Sequence, residues 1–118
     1  KKKYYFYDLG IRNAIIGNFS PIADRADKGA LWENFCVVER MKRNDAKERF
    51  VEYRFWRSYT GDEIDLLEIE DQKIHGFECK WKAQQLPQRI RSIYRDDLQG
   101  VGDIVVFSPQ NVADVLRE

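Results

Sequence analysis

Leu31, Phe35, Val38 and Met41 recur at three- and four-residue steps. That spacing predicts one face of an amphipathic helix over 30–43. Arg40, Lys42 and Arg43 crowd its last turn, where cations complement the helix dipole, and Asn44-Asp45 closes it. Beyond it the pattern changes. Three runs, 50–58, 63–69 and 73–81, have strand character and are separated only by Thr60-Gly61-Asp62 and Glu70-Asp71-Gln72. Links this short predict an antiparallel meander. A second helix is expected over 84–98 with Pro87 near its start, then a strand over 103–107 and a terminal helix over 111–117.

Ahead of the long helix, Tyr4 to Tyr7 reads as a short strand or an extended entry into a loop. Leu9, Ile11, Ile15 and Ile16 predict a short helix ending near Gly17, and 18–29 is mostly connection. From the long helix onward the order is helix, three strands, helix, strand, helix. The fold class is therefore α/β of the α+β kind, built on a mixed sheet.

Length allows one core and little more, since two cores within 118 residues would each be marginal. The expected division is an entry segment over 1–28 and a core over 29–118. Because the chain opens on "KKKYYFYDLG" without a methionine, the entry segment is expected to continue from a preceding domain. Twenty basic and twenty acidic residues cancel, so any attraction to a polyanion must be local. No apolar run approaches the roughly 18 residues that span a bilayer, which predicts a soluble, cytoplasmic protein. Cys36 and Cys79 lie in apolar company and read as buried thiols, with a disulfide between them left open. No G-x-x-x-x-G-K-[ST] occurs, so the segment has no phosphate-binding loop of its own.

The stretch "EIDLLEIEDQKIHGFECKWK" puts charges where strands want apolar residues. Alternation sets Asp65 with Leu67 and Ile69, and Glu78 with Ile74, Gly76 and Lys80, with Gly76 leaving space beside Glu78. Two carboxylates in such a setting need a cation or a proton. Adjacent strands lie about 4.8 Å apart, so Asp65 and Glu78 can converge on one hard divalent ion, with Lys80 about 6.6 to 6.8 Å further along. Glu33, in "GALWENFCVVER", offers a third carboxylate from the helix, and Glu39 is a weaker candidate there.

Glu33, then "GDEIDLL" with Asp65, then "FECKWK" with Glu78-x-Lys80, resembles the PD-(D/E)xK nuclease superfamily over residues 29–107. More narrowly, "YYFYDLGIRNAIIGNF", "GALWENFCVVER" and "EIDLLE" resemble the C-terminal domain of an uncharacterised group of prokaryotic AAA+ ATPases. The resemblance implies a restriction-endonuclease-like fold and a Mg²⁺- or Mn²⁺-dependent nuclease acting on DNA. It implies Asp65, Glu78 and Glu33 as metal ligands, all three with Lys80 as catalytic residues, and Lys80 orienting the attacking water. ATP would enter only through an N-terminal ATPase module of the same polypeptide. Ile64 stands where the superfamily name puts proline.

Lys80, Lys82, Arg89, Arg91 and Arg95 form a run free of acidic residues, which suits a phosphate backbone and equally a solvated helix face. His75, the only histidine, is expected to be structural, Cys79 to pack in the core, and Trp32, Trp56 and Trp81 to be core residues. Three functions compete: a metal-dependent nuclease, a catalytically silent module of that fold binding DNA or a partner, and a buried ion-paired cluster with no ligand.

Overall fold

Four strands form one sheet in the order β1-β2-β3-β4: Glu52–Arg57, Glu63–Glu70, Lys73–Cys79 and Val105–Phe107. The computed structural model describes residues 2–117, and the side chains of Ile11 and Ile15 lie outside the described residues. The meander is as expected, β1 with β2 and β2 with β3 pairing antiparallel, while β4 joins β3 in parallel. Glu70 pairs with Lys73 across a two-residue turn in which Asp71 and Gln72 both have positive φ, the geometry that matches strand twist in a tight hairpin.

Helices cover both faces. In chain order they are α1 (Leu9–Ile16), α2 (Lys28–Ala46), α3 (Gln88–Ser92) and α4 (Val112–Arg117), with a π-helical turn at Ile93–Asp97 after α3. Trp32, Cys36 and Val37 of α2 pack on Leu66, Phe77, Cys79 and Phe107. The apolar face is broader than the stripe predicted, whose Phe35 and Met41 pack against this same cluster and whose Leu31 and Val38 are buried. Trp32 donates from Nε1 to the Phe107 carbonyl at 3.0 Å, tying α2 to β4. Leu86, Ile90, Tyr94 and Ile104 cover Ile64 and Leu67 on the other face.

Of the two readings of residues 4–7, the extended entry holds: the Asn34 side chain accepts from Phe6 N at 2.9 Å and donates to Phe6 O at 2.7 Å, supplying both bonds a strand partner would. Three expectations are corrected. The second helix starts at Gln88, because Pro87 serves as its N-cap and disfavours helical backbone in the residue before it. Strand β3 stops at Cys79, and Trp81 leaves the ladder to pack edge-on against Trp32 at 5.8 Å. Gly76 leaves no open space beside Glu78. The Tyr94 ring fills it, so that a Cβ on Gly76 would meet Tyr94 Cε1 at 2.8 Å.

Cys36 and Cys79 are buried free thiols lying side by side, and the hydrogen bond between them, with burial, holds the Cys79 thiol well above its ordinary value. A buried fork, Arg40 Nε and Nη2 to the two Glu68 oxygens at 2.7 and 2.6 Å, crosses from α2 to β2. Among the described residues no helix is long and apolar enough to cross a membrane.

Candidate metal centre

The acidic residues meet because the sheet is irregular where they lie. Arg54 pairs with Leu67 but Trp56 pairs with Ile64, so Phe55 alone stands opposite both Asp65 and Leu66. This is a β-bulge, which resets side-chain alternation. Ile64 and Leu67 consequently share one face, while Leu66 and Glu68 turn to α2. Asp65 also turns to α2, where one of its oxygens lies within 4.8 Å of oxygens of Glu33 and Glu63. The expected grouping of Asp65 with Leu67 and Ile69 is corrected by this bulge.

Glu78 reaches Asp65 from the neighbouring strand. The Asp65 N–H donates to Glu78 Oε1 at 3.2 Å, and the Cys79 N–H donates to Asp65 Oδ2 at 2.8 Å. Side-chain oxygens therefore take the ladder bonds beyond the Leu66–Phe77 pair, and both carboxylates are buried. Burial, then the neighbouring Glu78 carboxyl, then Glu33, push Asp65 up to about 10, so it holds a proton at neutral pH.

Around this pair the other acids are neutralised from outside. Tyr5 Oη donates to Glu33 Oε2 at 2.6 Å, and burial together with that bond raises the Tyr5 phenol above its ordinary range. Lys3 Nζ lies 3.4 Å from Glu33 Oε2 and 3.6 Å from Glu63 Oε1, and 4.6 Å from the Phe55 ring centre. Arg57 Nη2 pairs with Glu63 Oε2 at 2.8 Å. Burial works against Glu63, yet hydrogen bonding from Asp65 and Arg57 holds it below its ordinary value.

Glu33, Asp65 and Glu78 thus gather, and Lys80 makes no ion pair with them. Lys80 follows the last residue of β3, its N–H donates to Phe107 O at 2.9 Å, and its ammonium makes no ion pair among the described residues. Glu39 pairs with Lys42 at 3.1 Å, away from the cluster. In the basic run, Arg89 is held by Asp62 at 2.7 Å and Arg95 by Asp96 at 3.1 Å, while Lys82 is exposed and Arg91 half-buried on α3. Sequence reasoning missed Glu63 and Lys3. Glu63 had a signal, since it lies two residues before Asp65 on one strand; Lys3 had none, because nothing in its neighbourhood shows where the entry segment lies.

The donor set is oxygen only, all from carboxyl groups, the kind hard divalent cations take. Glu33, Glu63 and Asp65 each offer one carboxylate oxygen, and Glu78 is a fourth carboxylate within reach of Asp65. These residues fit Mg²⁺ or Mn²⁺ better than a soft thiophilic ion, since all three grouped ligand atoms are carboxylate oxygens.

A family model described as a domain of unknown function (DUF4143) matches residues 28–114. No curated protein and no solved structure matches the chain.

Proposed function

The chain belongs to the DUF4143 family, whose span takes in Glu33, Glu63, Asp65, Glu78 and Lys80 together, and from that premise we propose a cytoplasmic, metal-dependent nuclease domain of PD-(D/E)xK type acting on DNA. The observation that carries the reading is the convergence of Glu33, Glu63 and Asp65 from α2 and a bulged β2. Glu33, Glu63 and Asp65 would hold Mg²⁺ or Mn²⁺, with Glu78 completing the set through Asp65. Bound there, the ion would lower the pKa of a ligated water and stabilise charge on a phosphoryl oxygen.

The chain's own groups have separate tasks. Asp65, whose burial beside Glu78 favours its protonated form, would have to release that proton to serve as a ligand. Tyr5 and Lys3 fix the Glu33 carboxylate by a hydrogen bond and an ion pair, so its orientation is set before any ligand arrives. Arg57 does the same for Glu63. The linkage to an N-terminal ATPase module rests on the resemblance of "YYFYDLGIRNAIIGNF" and "GALWENFCVVER".

A second reading, a catalytically silent module that binds DNA or a partner, is favoured by one observation: the Lys80 ammonium has no carboxylate partner among the described residues. Plasmid and oligonucleotide cleavage with Mg²⁺ or Mn²⁺, run beside calorimetric Mn²⁺ titration, separates the two. The nuclease reading expects cleavage lost in Asp65→Asn and at least about a hundredfold slower in Lys80→Ala, with general acid–base and electrostatic contributions of that size at stake. Mn²⁺ binding without cleavage supports the silent module. Cleavage that persists in Asp65→Asn removes this centre from the reaction.

A further inference from the structure

We infer that the groove between the entry segment and β1 binds an unpaired, single-stranded stretch of nucleic acid; this rests on the nuclease reading and narrows its substrate. The groove encloses about 1040 Å³ between residues 2–5, β1 and the turn after it, and Asp65 and Leu66 lie along it. A ligand filling it would therefore run past the acidic centre.

Its lining combines two chemistries. Lys2, Lys3, Arg54 and Arg57 bring positive charge. Tyr4 and Tyr59 stand fully exposed on the same groove, two large aromatic side chains with no packing partner to explain them. Cations interleaved with aromatic rings match a ligand offering phosphates and flat π faces in alternation. In a duplex those faces are stacked on one another and closed to side chains, whereas unpaired bases can lie on a tyrosine. Phosphates can reach the cations too. The Arg54–Glu52 pair is exposed and weakly held, and Lys2 makes no ion pair among the described residues. Lys3 and Arg57 are meanwhile held at the groove by Glu33 and Glu63, which places their charge beside the acidic centre.

Fluorescence anisotropy in EDTA tests this with three probes: a short oligothymidylate, the same strand annealed to its complement, and an abasic deoxyribose-phosphate strand of equal length. Oligothymidylate is expected to bind at least about tenfold more tightly than either other probe. Tyr4→Ala and Tyr59→Ala, both at exposed positions, are each expected to weaken it roughly tenfold while leaving the melting temperature unchanged. Equal binding of the abasic or duplex probe, or unchanged binding in the double tyrosine variant, overturns the inference. Metal-dependent duplex cleavage without single-strand binding also overturns it and leaves the nuclease reading standing. Base-dependent strand binding with no cleavage under Mg²⁺ upholds the groove and sinks the nuclease reading.

Discussion

Asp65 is the residue on which most turns, because its carboxyl is buried beside Glu78 with Glu33 and Glu63 close by. Its folded-state pKa is raised to about 10, above the ordinary 3.8. The folded protein thus binds one more proton than the unfolded chain between those values. Stability from this group is complete below the unfolded value and declines as pH climbs toward the folded one, by up to about 1.4 kcal/mol per unit. Asp65→Asn, which cannot ionise, is expected to melt at a higher temperature than the parent at pH 8 in EDTA, with the gap closing near pH 4. Differential scanning fluorimetry across that range checks it, and a gap that widens toward acid refutes the burial argument. At this scale the sequence was partly legible. Charges set among strand residues flagged Asp65 and Glu78, but alternation assumed an uninterrupted ladder and so put Asp65 on the wrong face. Gly76 was legible as a gap, though the ring that fills it comes from Tyr94, eighteen residues on.

Among the elements, the meander and the long helix were readable because their patterns are local: tight polar turns and a three-to-four periodicity. The docking of α2 was not, since the stripe meeting the sheet includes Arg40, a residue that looks solvent-facing until Glu68 is placed across from it. Arg40 also donates to the Val115 carbonyl of α4 at 2.7 Å and lies 4.5 Å from the Phe77 ring centre, so one guanidinium joins α2, β2, β3 and α4. Removing one partner of such a buried pair strands the other's charge. Glu68→Ala is expected to cost about 3 to 5 kcal/mol in urea unfolding, whereas Arg40→Met with Glu68→Leu should cost much less. Equal losses in the single and double variants would show that packing, not the orphaned charge, sets the cost.

For the molecule as a whole, the site lies where three separately specified parts meet: α2 carrying Glu33, the bulged β2 with Glu63 and Asp65, and an entry segment carrying Lys3 and Tyr5. Composition and zero net charge gave no hint of this, because the cations of the groove are balanced by acids paired with them, Glu33, Glu52 and Glu63. β4 meets β3 in parallel register only after the chain has passed through residues 80–104. Contacts that close long loops form late, whereas hairpins close early. During refolding the amides of β2 and β3 should therefore resist deuterium labelling before those of β4 do. Pulse-labelled exchange would register that order. The junction of Asp65 with Glu78 would then be assembled while the sheet still has a raw edge at β3, so this polypeptide spends its early life with its acidic pair formed and its last strand still at large.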